Sequence, residues 1–99
     1  MIHVIAILSA KPNQQHALLD AFASIVPAVL AENGCIEYSV TVDTPDANPA
    51  FGVGTVIVIE KWDSRAVLKA HAASSHMAAF SARTKDLCDS VAVHVLQSV

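Results

Sequence analysis

The sequence predicts an α+β fold of the ferredoxin-like class, a βαββαβ chain with an antiparallel sheet. Three observations carry this. Residues 2–10, 35–43, 51–62 and 90–99 show the apolar density or two-residue alternation of strands. Between them, residues 14–32 and 64–87 place apolar side chains at helical spacing. The resulting order, with a right-handed crossover about each helix, is that of the split βαβ unit. At 99 residues the chain has room for one domain, 1–99, and for no second core.

Each element has its own signal. Residues 2–10 are rich in β-branched side chains and read as a strand buried on both faces. Lys11-Pro12-Asn13 turns the chain, because proline cannot continue a central strand. Leu18, Leu19, Phe22, Ile25, Val26, Val29 and Leu30 form one helical stripe, with Pro27 expected to kink it and Gly34 to end it. In 35–43, Ile36, Tyr38, Val40 and Val42 alternate with polar residues. Two prolines make 44–49 a loop, and Gly52 and Gly54 make the start of the next strand irregular. In that strand Val56, Val58, Glu60 and Trp62 share a face. Asp63 or Ser64 caps the second helix, whose inner side is marked by Val67, Leu68, His71, Ala72, Ala78 and Phe80. A soft break is expected at Ala73-Ser74-Ser75-His76. In the closing strand Val91, Val93 and Val95 alternate with Ala92, His94 and Leu96.

Composition narrows the function classes. The formal charge is −3 and no basic cluster exists, so nucleic acid and anionic membrane surfaces find no electrostatic partner. The longest apolar runs are strand-sized, and the first residues do not read as a secretory leader, so a soluble, cytoplasmic protein is expected. Cys35 and Cys88 stand far apart and are expected as free buried thiols. Apolar residues make up 54% of the chain, above the ~45–50% ordinary for globular domains. That surplus predicts a second apolar face covered by another copy, hence a homodimer.

The candidate chemistry lies in polar residues on apolar faces. Glu60 among valines is a general base or an anchor for one, or else a strand-end carboxylate paired or solvated. His71 on the inner stripe is a proton acceptor or a core histidine bonded to backbone. His76 follows five positions later, so the two imidazoles do not share one helical face and no helix-borne metal pair is expected. His3 and His94 read as sheet or interface polar residues that could pair across neighbouring strands, and His16 as solvated. Tyr38 and Trp62 either line a pocket or join Phe22, Phe51 and Phe80 as core. There is no phosphate loop, dinucleotide fingerprint or nucleophile elbow.

Read together, these residues resemble a known family. Glu32-Asn33-Gly34-Cys35-Ile36-Glu37-Tyr38 is similar to the "E-x-G-C-x-x-Y" entrance to the second strand of antibiotic biosynthesis monooxygenase (ABM) domains. Ile59-Glu60-Lys61-Trp62-Asp63-Ser64 resembles their "x-E-x-W-x-S". Ala70-His71 with Ser75-His76-Met77-Ala78-Ala79-Phe80 resembles the "A-H-x-x-x-x-H-M-x-x-aromatic" of their second helix. The likeness spans nearly the whole chain and is closest to the small quinol monooxygenases.

The resemblance implies a dimeric α+β barrel that oxidises a small aromatic or quinol with O₂ and needs no flavin, metal or haem. His71 or Glu60 would remove the phenolic proton. Tyr38 and Trp62 would orient the ring, Phe22, Met77 and Phe80 would wall the pocket, and His76 falls with the substrate-binding group. The family's haem-degrading members carry an asparagine in the first strand and a tryptophan in the second helix. This chain has neither, so haem degradation is not expected. Two other readings stand beside the first: a non-catalytic dimeric module binding a hydrophobic metabolite, and an isomerase or lyase of the same fold.

Overall fold

A computed structural model describes residues 1–99. Its elements are β1 (Ile2–Ala10), α1 (Gln15–Leu30), β2 (Cys35–Thr41), β3 (Thr55–Trp62), α2 (Arg65–Ala72), α3 (Ser75–Thr84) and β4 (Cys88–Gln97). The four strands form one sheet in the order β2-β3-β1-β4, with every neighbouring pair antiparallel. This is the expected ferredoxin-like arrangement. No helix is long and apolar enough to cross a membrane.

Strand periodicity decides what each sheet face carries. The register places Val4 beside Glu60 and Val95, Ala6 beside Val58 and Val93, and Tyr38 beside Glu60. These side chains share the face on which the helices lie. Leu18, Phe22, Ile25 and Val29 of α1 pack into that face, and Leu18, Val29 and Trp62 are wholly buried. The opposite face carries Ile5, Ile7, Ile57 and Ile59, with Lys61 opposite His3.

Several expectations change. The face of β1 carrying Val4, Ala6 and Leu8 is buried, whereas the other is only half-buried, because no element of this chain lies over it. A register shift between Cys35 and Glu37 drops Ile36 out of the β2 ladder. Ile36 is consequently exposed, and so is Val42, beyond the strand end, while Tyr38 and Val40 keep the inward face. The third strand begins at Thr55 rather than at 51. The Asp43 carboxylate accepts the backbone N–H groups of Phe51 and Gly52 at 3.1 and 2.9 Å, which holds that segment in a loop. Phe51 is therefore exposed and is not core. His3 lies opposite Leu96 and His94 opposite Ile5, so the histidines do not face each other, and His3 Nε2 instead meets Ser98 Oγ at 3.0 Å. Both cysteines are free but only half-buried, with burial raising each thiol above its ordinary range.

The second helical stretch is two helices. Ser64 caps α2, its Oγ accepting from Val67 N–H at 3.3 Å. Ser74 caps α3 by accepting from Met77 N–H at 3.3 Å, while donating to the His71 carbonyl at 2.7 Å. On either side of the turn between them Ala72 and Ala78 are exposed, while His71 and Phe80 are buried. Helix α3 stops at Thr84 rather than at 87. Leu87 turns back onto Thr84, and its carbonyl accepts from Lys11 N–H at 2.8 Å.

Candidate active site

Strand and helix spacing together assemble the site. Glu60 and Trp62, two positions apart on β3, project from the same face. The Trp62 indole N–H donates to Glu60 Oε1 at 2.9 Å. The His71 ring lies over Trp62 with centroids 4.5 Å apart, and 5.8 Å from Tyr38. The fifth member is Glu32, in the turn after α1. Its Oε2 lies 2.7 Å from His71 Nδ1 and 2.9 Å from His76 Nε2.

Gly34 brings that turn to α2. Its φ of +85° is left-handed backbone, and a Cβ there would stand 2.8 Å from Val67 Cγ1. Only a glycine lets the Glu32 turn rest directly on α2. The Gly34 carbonyl also accepts from Asp63 N–H at 2.9 Å, tying the turn to the end of β3.

Between α2, α3 and the sheet lies a cavity of about 610 Å³, within the ~300–1,000 Å³ ordinary for small-molecule sites. Its walls are mostly apolar and include Val4, Ala6, Phe22, Val58, Met77 and Phe80. The Phe22 and Phe80 rings meet at 4.7 Å. Glu60, His71 and Tyr38 supply the polar groups of one wall. Ser81, Thr84, Lys85 and Asp89 contribute others, from the end of α3 and the start of β4.

The electrostatics separate the polar groups. Burial pushes the Glu60 carboxyl above the ordinary carboxylate range, against the pull of the Trp62 hydrogen bond and of His71. Burial, with Glu60 and Glu32 nearby, pushes the Tyr38 phenol far above its ordinary value, so Tyr38 stays a neutral O–H donor at every physiological pH. A carboxylate only accepts, so His71 presents Nδ1–H to Glu32. In neutral His71 this leaves Nε2 as the free lone pair.

Six of the residues singled out from sequence line the cavity: Tyr38, Glu60, His71, Phe22, Met77 and Phe80. Two do not. Trp62 is fully buried behind Glu60 and His71, and His76 stands outside the wall, held by Glu32. Glu60 and His71 are 6% and 5% exposed, and each has a side-chain partner, the Trp62 indole for Glu60 and the Glu32 carboxylate for His71. Glu32 was not among the sequence candidates, although it opens the Glu32-Asn33-Gly34-Cys35 motif.

Fold and site together define a small ferredoxin-like domain with an apolar cavity that carries a carboxylate-anchored histidine on its wall. The chain belongs to the antibiotic biosynthesis monooxygenase family, whose sequence profile matches residues 1–83. It is 39% identical over 102 residues to the probable quinol monooxygenase YgiN of Escherichia coli (strain K12), covering 98% of this chain and 97% of that one. The crystal structure of PA3566 from Pseudomonas aeruginosa superposes with a TM-score of 0.85 at 26% identity, covering 99% of this chain and 93% of that one. A crystal structure of an antibiotic biosynthesis monooxygenase superposes with a TM-score of 0.84 at 27% identity, covering 100% and 99%.

Proposed function

We propose that this protein is a monooxygenase that oxidises a small aromatic quinol with O₂ and draws on no organic or metal cofactor. The observation that carries the reading is the meeting of His71 and Glu60 on one wall of an otherwise apolar cavity, with His71 fixed from behind by Glu32. Removing a phenolic proton makes a hydroquinone electron-rich enough to pass one electron to O₂. The semiquinone and superoxide then combine into a ring hydroperoxide, whose O–O bond breaks with loss of water, leaving one oxygen atom on the ring as a hydroxyquinone. The protein's tasks are to exclude water, hold the ring and accept the proton.

Each task has residues suited to it. Phe22, Met77 and Phe80 offer the ring an apolar, polarisable wall. His71 Nε2 accepts the proton, and the imidazolium that forms is stabilised by Glu32 on its other nitrogen. Tyr38 donates to a substrate oxygen. Glu60 is held by Trp62 as a second polar contact, a positioning group for the hydroxyl. Trp62 acts through Glu60 and His71 and does not touch the ring.

A homodimer belongs to the same reading. Ile5, Ile7 and Ile59 lie together on the face that no helix covers, beside Leu96, which is more than half exposed. A second copy of the sheet would cover them. The test of the activity is oxygen uptake by the purified, chelator-treated protein with a panel of reduced quinones and phenols. Uptake above the protein-free rate for at least one quinol is expected. Rates equal to the protein-free control for every compound would sink the proposal and leave the binding-module reading in its place.

A further inference from the structure

We propose that Glu32, His71 and His76 form a binding site for a divalent cation of the Zn²⁺ class, lying behind the cavity wall and able to silence His71. Spacing along the sequence argues against such a site, since residues five apart on one continuous helix diverge. The break at Ser74 removes that objection. It puts His71 on α2 and His76 on the first turn of α3, and both rings turn to the same carboxylate oxygen. One donor atom from each of the three residues falls within 4.8 Å of the other two.

The donor set is chemically selective. Two imidazoles and one carboxylate suit Zn²⁺, Co²⁺ or Fe²⁺ rather than Mg²⁺ or Ca²⁺, and three protein ligands leave a fourth position for water. The side chains of His71, Glu32 and His76 are 6%, 15% and 28% exposed, so the trio is sheltered but reachable from the His76 side. Existing hydrogen bonds already hold the donors together, so little ordering remains to be done on binding. Tetrahedral coordination at ~2.0–2.1 Å sets donors about 3.3 Å apart, so the 2.7 and 2.9 Å contacts must open by roughly half an ångström. His76, the most exposed of the three and at a helix start, can supply that movement.

The ion would replace the Nδ1 proton of His71 and the Nε2 proton of His76. Each neutral imidazole then carries its proton on the other nitrogen. For His71 that is Nε2, the lone pair which the proposed reaction uses. An occupied site therefore leaves the cavity without its base. This consequence rests on the proposed function; the metal site itself does not.

The experiment is a Co²⁺ titration of the chelator-treated protein, followed by its visible d–d absorption and by equilibrium dialysis, with Zn²⁺ as competitor. His76→Ala and Glu32→Gln are run alongside, with circular dichroism to confirm their folds. One Co²⁺ per chain, displaced by Zn²⁺ and bound at least about tenfold more weakly by a folded variant, is the expected result. Absence of saturable binding, or unchanged affinity in both variants, overturns the site. In the oxygen-uptake assay Zn²⁺ should slow the wild type and spare His76→Ala relative to its own metal-free rate. Zn²⁺ that binds the trio without slowing turnover overturns the silencing. A wild type that oxidises no quinol speaks against the proposed function alone, since the cobalt titration does not depend on turnover.

Discussion

The Trp62 indole N–H donates to Glu60 Oε1 at 2.9 Å, and both residues are buried. A carboxylate so placed is tolerated because its hydrogen bond partly offsets its desolvation. Trp62→Phe keeps most of the packing and removes the donor. It should destabilise the fold by about 1–3 kcal/mol, the cost of an orphaned buried acceptor. Urea unfolding at neutral pH measures it, and a loss below about 0.5 kcal/mol would mean that Glu60 has another partner.

Glu60 also makes stability depend on pH, with a definite sign. Its carboxyl titrates above the ordinary 4.5 when folded, because burial disfavours its charge. The unfolded chain therefore ionises first, and stability drains away as pH rises through the raised folded value. Glu60→Gln keeps an acceptor for Trp62 and carries no charge. It should be more stable than wild type at neutral pH and have no advantage below pH 4.5. Unfolding curves at the two pH values decide this, and an advantage that persists in acid would contradict it.

Gly34→Ala should be costly twice over. Left-handed backbone costs a non-glycine residue about 1–3 kcal/mol, and the new Cβ would press on Val67 at 2.8 Å. Adding Val67→Ala should relieve the clash and leave the backbone strain, recovering only part of the loss. Chemical denaturation of the single and double variants separates the two effects. Full recovery in the double variant would rule out a backbone contribution.

Ile5 lies half-buried on the open sheet face, between Ile59 and His94. Ile5→Lys places a charge where a second copy would pack. Light scattering behind size exclusion should show a dimer for wild type and a folded monomer for the variant. A monomeric wild type at high micromolar concentration would remove the homodimer.

Order and type of element were legible because periodicity reports which side chains must be buried. The alternation through Val56, Val58, Glu60 and Trp62 is an example, and it placed Glu60 and Trp62 correctly on the helix-facing side. What escaped depends on how distant segments meet. Glu32 gives no signal of burial by itself, since it is one charged residue at a helix end. Its importance appears only when the Gly34 turn seats against Val67 and two helices deliver His71 and His76 to one oxygen. The same holds for Trp62. Sequence places it on the correct face but cannot say that Glu60 and His71 stand between it and the cavity. Ile36 was misplaced by a one-residue register shift, which no alternation pattern announces.

The most direct measurement is oxygen uptake by chelator-treated wild type and His71→Ala on the same quinol, with both proteins shown to be folded. Wild-type uptake above the protein-free rate is expected, with a loss of about 10²–10⁴-fold in the variant, the usual contribution of a positioned base. Equal rates for the two proteins would contradict that role for His71.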